Sequence, residues 1–317
     1  MSFTKRADMM LRIAGSAKPL GRAAAQEDPG GRPVQSLFDL YQDRGFLDVF
    51  ARYYGLEVVE IDGLLVCRRR RCGLGVVHSF CGGPEVSGPP DVWMSSARKA
   101  GGLYLRAFTN TPFPALDCFR LSEADTSSFF IDVSAGEEAA WRQMNKASRK
   151  AVRKSVRNGG TVRISTDIAD LAVFLAIIHK TSRGGEKYEV PPRDYFESFL
   201  ATGYGVLSLL EHEGTLVSGA FWLRGTHLHG MYGGSDRDRL RKVQSNLMFW
   251  EITRWAANEG VAGIDLGMQS VAALPELTSF KRSIGAVEIP AADYRIPLSA
   301  AKSVLLGLLR LAGKHPR

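Results

Sequence analysis

Cysteine is scarce in this sequence. Its four copies, Cys67, Cys72, Cys81 and Cys118, form no Cys-x-x-Cys pair. That spacing supports neither a disulfide framework nor a zinc site built on Cys67, Cys72 and Cys81. The thiols read as free ones in a reducing compartment, so a cytoplasmic setting is expected. Long apolar runs are missing too, and no segment approaches the ~18 apolar residues of a transmembrane helix. Near the start, Met9-Met10-Leu11-Arg12-Ile13-Ala14 is interrupted by Arg12 and followed by Lys18 and Arg22, which argues against a secretory signal. Ser303–Leu311 is apolar but too short to span a bilayer. It is expected to pack on the protein body, the alternative being a peripheral membrane contact. Histidine offers no metal centre. His227 and His229 alternate along a strand, but a third ligand is missing, and a plain strand surface is the expectation.

What is present is ordinary globular material, 317 residues with 45% apolar and 23% charged side chains, enough for two domains. The formal charge of +8 favours anionic partners without choosing among them. Residues 1–34, rich in Ala, Gly, Pro and charge, read as a mobile leader. Helical periodicity follows over Phe38–Ala51. Glu57–Ile61 and Leu64–Arg69 read as a hairpin across Asp62-Gly63. Ser95–Ala100 reads as helix, and Gly102–Phe108 and Ser128–Val133 read as strands. Trp141–Asn158 reads as one helix stopped by Gly159-Gly160. Beyond it come a strand at Thr161–Ser165 and helices at Ile168–His179 and Arg193–Thr202. Three strands follow at Gly205–Glu211, Thr215–Arg224 and Thr226–Gly233. The short turns at Glu213-Gly214 and Arg224-Gly225 permit only antiparallel pairing. A long helix at Val243–Asn258 and a buried strand at Gly263–Leu266 complete the series.

Strand, two helices, three-stranded meander, long helix, strand is the element order of an N-acyltransferase (GNAT-type) fold. Residues 38–133 give a weaker version of it. The expected fold class is therefore mixed α/β, with two tandem GNAT-like domains. The expected boundaries are an N-terminal domain at 35–140, a basic connecting helix at 141–160, a C-terminal domain at 161–290, and a tail with a short apolar helix at 291–317.

The basic helix is the most informative segment. Lys146, Arg149, Lys150, Arg153, Lys154 and Arg157 are spaced 3, 1, 3, 1, 3, with no acidic residue between them. On a helix they fall within an arc of roughly 140°, and Met144, Ala147 and Ala151 form the expected packing face opposite. Like charges at i, i+4 repel, so the stripe costs helix stability unless an anion meets it. A solvated face is one reading; capture of a polyanion through its phosphates is the other.

From Trp141 to Val162 the pattern Trp-x4-Lys-x2-Arg-Lys-x2-Arg-Lys-x2-Arg-x-Gly-Gly-x-Val resembles the helix between the two halves of Fem-type aminoacyltransferases. These enzymes build peptidoglycan cross-bridges from aminoacyl-tRNA, and acetyltransferase-like proteins of polysaccharide loci share the pattern. Met231-Tyr232-Gly233-Gly234-Ser235 is similar to the family's Tyr-x-Gly-x-Ser. Asn246–Ile252 resembles its Leu-x-Trp-x-x-Ile helix, and Ile264-Asp265-Leu266-Gly267 followed by Ser279–Gly285 resembles its Asp-x-Gly…Phe-Lys ending. The resemblance implies that Lys281 lies near the reacting carbonyl with Phe280 as its aromatic neighbour. It implies that Arg183, Tyr232 and Ser235 lie near the acceptor. It also implies aminoacyl-tRNA as donor, an amine-bearing acceptor and no permanently bound cofactor. The long helical arm of some members is absent here.

Such a reaction needs a neutral amine, a held carbonyl and a group that meets the developing oxyanion. Lys281 supplies that cation. Asp265 and Asp236 are candidate bases, though both residues suit caps and turns as well. Coenzyme A users of this fold carry a glycine-rich turn before the long helix, which cradles the pyrophosphate. Arg237–Asn246 has no glycine. A grip on phosphate there falls to Arg239, Arg241 and Lys242, and acyl-CoA remains the alternative donor, with a sugar or lipid-linked acceptor.

Overall fold

The structure, a computed structural model, describes residues 39–71, 74–78, 90–99, 101, 104–110, 112–183, 190–236 and 238–298. The expected leader at 1–34 and the apolar stretch at 303–311 lie outside the described residues, as do Cys72 and Cys81. In chain order the elements are α1 (Arg44–Tyr54), β1 (Glu57–Ile61), β2 (Leu64–Arg71), β3 (Leu74–His78), α2 (Pro90–Lys99), β4 (Tyr104–Thr109), β5 (Thr126–Asp132), α3 (Glu137–Gln143), α4 (Lys146–Arg157), β6 (Gly160–Ser165), α5 (Leu171–Arg183), α6 (Arg193–Ala201), β7 (Gly205–His212), β8 (Thr215–Arg224), β9 (Leu228–Ser235), α7 (Asn246–Asn258), β10 (Gly263–Asp265), β11 (Gln269–Ser270), α8 (Pro275–Ser283), β12 (Val287–Pro290) and β13 (Ala292–Pro297). They divide into two compact units, one spanning Ser127–Ile289 and the other formed by the chain on either side of it.

In the flanking unit, β1 and β2 form the expected hairpin. Asp62 and Gly63 take φ of 53° and 77°, the left-handed pair that a two-residue turn of matching twist requires. β3 extends this sheet along β2. β13 pairs antiparallel with β4 along its whole length, from Ala292 opposite Thr109 to Pro297 opposite Tyr104. Residues 292–297 were expected to belong to a tail. They instead supply Ala292, Tyr294 and Ile296 to a core with Leu105, Ala107 and Leu116. Cys67 is buried in this unit, and burial pushes its thiol up to about 12, so it is an inert apolar side chain rather than a nucleophile or metal ligand.

The Ser127–Ile289 unit is built on an eight-stranded sheet in the order β11-β5-β10-β9-β8-β7-β6, with β12 also on β5. The β6–β9 strands are antiparallel, whereas β10 runs parallel to β9. Neighbouring side chains on β8 show why both faces are covered. Phe221 meets Phe174 of α5 and Phe196 of α6, while Trp222 points the other way to Phe249 of α7. The α7 side holds the larger core, in which Phe129, Met144, Val152, Leu247, Ile252 and Ile264 are all buried. On the other side α5 lies close against β9. A Cβ at Gly234 would sit 2.9 Å from Ile178 Cα, so this approach needs glycine.

The expected single helix over 141–158 is two. Asn145 has extended backbone, and its side chain accepts a hydrogen bond from the Ser148 N–H at 2.8 Å, capping α4 afresh after α3 has ended. The break turns α4, so its buried residues are Ser148, Val152 and Ser155, while Ala147 is exposed. The basic helix also lies inside the Ser127–Ile289 unit, with β5 and α3, not between two domains. Replacing the cap, Asn145→Ala, is expected to lower stability by about 1 kcal/mol in denaturant unfolding.

Candidate active site

Strand register gathers the polar side chains of the sheet. Asp265 on β10 stands opposite Phe130 of β5 on one side and His229 of β9 on the other. With a side-chain period of two, Ser128, Phe130, Asp265, His227 and His229 share one face. All of the polar members are buried. The two histidines lie on a strand surface as expected, but on a buried one. His227 packs edge-on against Phe130, and His229 places Nδ1 3.5 Å from Asp265 Oδ2.

Asp265 is saturated with donors. Ser128 Oγ donates to Oδ1 at 2.6 Å, the Gly267 N–H donates to the same oxygen at 2.9 Å, and His229 faces the other. Burial pushes this carboxyl up, but the donors from His229, Ser128 and Gly267 outweigh it and leave the group below the usual carboxylate range. The arrangement is not a catalytic triad, because the carboxylate and not the imidazole stands in the middle.

Lys281 reaches the same place from α8. Thr278 and Lys281 are the buried residues of that helix, one turn apart. Lys281 is 7% exposed. Its Nζ donates to the Gly267 carbonyl at 3.0 Å and lies 5.0 Å from the Phe129 ring centroid. Burial pushes its ammonium down to about 8, and the Asp265 charge partly offsets this. The ammonium is thus held below the usual lysine range while still within the field of the Asp265 charge. Phe280, next along the helix, turns away and packs edge-on against Phe249 of α7, a core position.

β9 parts from β10 beyond His229, where their pairing ends, and runs on to Ser235. A one-residue register shift lies in that stretch, placing Tyr232 opposite Phe221 and Gly230 opposite Trp222. The extra residue restores Tyr232 to the face of His229, where its ring meets Tyr195 and Phe196 of α6. Ser235 is tied to α5 and β8, through its N–H to Thr181 Oγ1 at 2.8 Å and its hydroxyl to Ser218 at 2.8 Å. Asp236 pairs with Lys180 and accepts from the Asp238 N–H, the turn role its sequence context suggested. The side chains of Arg183 and Arg241 lie outside the described residues.

The six cations of α4 have different surroundings. Arg149 folds back to donate to the carbonyls of Arg142 and Met144 at the end of α3, and Arg153 lies 5.4 Å from the Trp141 ring. Lys146, Lys150, Arg153, Lys154 and Arg157 are exposed, and none of the six forms an ion pair among the described residues. Lys242 is also exposed and faces Glu213 at 3.5 Å. The helix is joined to the lysine's helix at Ser283. The Asn145 N–H donates to the Ser283 carbonyl at 3.0 Å, and the Ser148 and Ser283 hydroxyls are 3.0 Å apart. A shallow hollow lined by Glu137, Glu138, Trp141, Arg142 and Trp250 lies on the α3 side, built from other residues.

Sequence reasoning missed Ser128, Gln269 and Thr278, and misjudged His229. Gln269 Nε2 donates to Thr278 Oγ1 at 2.7 Å, and its buried Oε1 meets no donor among the described residues. The only available signals were a serine in an apolar strand and a histidine one strand away from the Asp-x-Gly turn.

Because folding depresses the Lys281 pKa, the unfolded chain binds more protons between about 8 and the ordinary lysine value. Stability is therefore lost below about 8 and recovered as pH rises through that window. Lys281→Met is expected to raise stability by roughly 2 kcal/mol at pH 7, with the gain shrinking towards pH 10.5 in unfolding measurements.

Residues 142–282 match the family model described as an acetyltransferase (GNAT) domain. In fold, the chain is similar to FemX, with TM-score 0.64, 13% identity, and 86% of this chain and 96% of that one covered. It is also similar to a conserved protein of unknown function from Bacteroides thetaiotaomicron, with TM-score 0.55, 10% identity, and 94% and 98% covered. A third likeness is to the C-terminal domain of a putative lysylphosphatidylglycerol synthetase from Agrobacterium fabrum, with TM-score 0.52, 14% identity, and 88% and 96% covered. No curated protein matches it. Among the described residues no helix is long and apolar enough to cross a membrane, and no group of three or more His, Cys, Asp or Glu could hold a metal ion. The stretch that carries Lys281 and Asp265 is thus matched as an acetyltransferase (GNAT) domain, within a chain whose fold is similar to that of FemX.

Proposed function

We propose that the protein transfers an aminoacyl group from aminoacyl-tRNA to an amine of a cell-wall precursor or peptide-like metabolite, forming an amide in the cytoplasm. The observation that carries this reading is the bond between two helices at Ser283. α4, with five exposed cations and no carboxylate partner among the described residues, is fastened there to α8, which holds Lys281 in the buried cluster. A polyanion lying on α4 is thereby registered against the lysine. One neighbour in fold is named for lysylphosphatidylglycerol, a product that itself carries an aminoacyl group.

In this reading the neutral acceptor amine attacks the ester carbonyl of the donor. The carbon–nitrogen bond forms, and the carbonyl oxygen gains negative charge opposite the Lys281 ammonium. Collapse breaks the bond to the donor's hydroxyl oxygen, which leaves with the proton lost by the amine. An ester is already activated, so no enzyme nucleophile is needed. Asp265 is not the base. Its oxygens are occupied by Ser128, Gly267 and His229, and its part is to keep Lys281 charged.

The GNAT match favours one alternative, an acyl-CoA donor with a sugar or lipid-linked acceptor. The start of α7 speaks against it. There the Gln244 N–H is taken by Ser155 Oγ, Asn246 Nδ2 donates to Ser148, and no glycine opens the backbone to a pyrophosphate.

The test is amide formation from charged tRNA or from acyl-CoA. Ribonuclease should abolish turnover with charged tRNA; turnover that needs acyl-CoA and ignores ribonuclease overturns the tRNA reading. Lys281→Ala should lower kcat by about 10²–10³-fold with tRNA affinity unchanged. The step that depends on the lysine cation should fade as pH rises through about 8. Lys150→Glu with Lys154→Glu should weaken tRNA binding and flatten its salt dependence.

A further inference from the structure

We propose that His229 is a positioning residue for Lys281, acting through Asp265. The inference deepens the reading of Lys281 as the group that meets the oxyanion, and rests on it. Three contacts form the chain. His229 Nδ1 stands 3.5 Å from Asp265 Oδ2, the Gly267 N–H donates to Asp265 Oδ1 at 2.9 Å, and Lys281 Nζ donates to the Gly267 carbonyl at 3.0 Å. The carboxylate thus fixes Gly267, the residue whose carbonyl aims the lysine, and its charge acts on the ammonium directly.

Asp265 would not hold this role without donors on both oxygens, because an isolated buried carboxylate takes up a proton. Ser128 and Gly267 share Oδ1; His229 faces Oδ2. The pairing is set by the sheet itself, since Asp265 and His229 are register partners on adjacent parallel strands. The imidazole is buried, so water does not replace it. The other groups around the cluster are few. β9 adds His227, whose ring lies 6.2 Å from that of His229. β5 adds Ser128 and the Phe129 ring. β11 and α8 add the uncharged Gln269 and Thr278, and Arg282 of α8 is engaged with Glu288. Among the described residues, Asp265 is the carboxylate whose charge acts on Lys281.

The experiment follows Lys281 itself. In protein labelled with 15N-lysine, the side-chain amine resonance of Lys281 is assigned by its loss in Lys281→Met and titrated against pH. Wild type should titrate near 8. His229→Leu should move the midpoint down by about one pH unit, as removal of an effective opposite charge does. His229→Asn, whose amide can occupy the place of Nδ1, should restore it. Asp265→Asn should match His229→Leu, and the double variant should add nothing. A folded His229→Leu protein with the wild-type midpoint overturns the proposal, as does a double variant whose shift is the sum of the two. If His229→Leu loses its cooperative unfolding transition, His229→Gln is judged by the same rule. The titration needs no substrate, so a failure here is separate from a failure of the acyl-transfer reading, which turnover decides.

Discussion

The site depends on one costly arrangement, a lysine ammonium held out of water next to a carboxylate. Taking Lys281 from solvent favours its neutral form, and Asp265 pulls the other way. The balance leaves a side chain that can be a cation at neutral pH without being locked into a tight ion pair. A surface lysine would be charged but screened, and its field would fall on water. A lysine paired directly with a carboxylate would have spent its charge. Lys281 instead bonds to the neutral Gly267 carbonyl.

Everything around this pair serves to hold the carboxylate ionised. β10 is three residues long, buried, and flanked by an antiparallel strand on one side and a parallel one on the other. That puts Ser128 and His229 beside Asp265 from opposite directions, while the left-handed turn at Gly267, with φ of 81°, brings its own N–H back. The same short strand ends the pairing with β9, and the register shift in β9 then returns Tyr232 to the site face. Two irregularities, an early strand end and an extra residue, thus both fall next to the chemistry.

Much of the architecture was legible because it is written in local signals. Asp62-Gly63 and Glu213-Gly214 specify hairpins by the backbone they tolerate, and the meander followed from its turn lengths. The elements that were missed owe their form to distant partners. β13 is a strand because β4 lies alongside it, nearly two hundred residues away in sequence. Asn145 looks like one more polar residue in a helical run, yet its side chain caps α4 and its N–H bonds Ser283. Lys281 and Asp265 could be named from motif resemblance. His229 could not, because alternation tells which residues share a face and not what stands on the next strand.

The break at Asn145 carries a consequence for function. An unbroken helix would have kept Met144, Ala147 and Ala151 inward as a small-residue stripe, and nothing would have tied its start to α8. The break turns Ser148, Val152 and Ser155 inward instead. Their hydroxyls reach Ser283 on the lysine's helix and the Gln244 N–H and Asn246 side chain at the head of α7. It also gives Arg149 the carbonyls at the end of α3 to bond, which settles one cation of the stripe into a structural role. Five outward cations remain on a helix whose inner face is fastened to α8 and the head of α7 by polar contacts of defined direction. Under the proposed function, binding energy gained by phosphates on that outer face is available to position a carbonyl relative to Lys281, which is where acyl transfer without an enzyme nucleophile has most to gain from it.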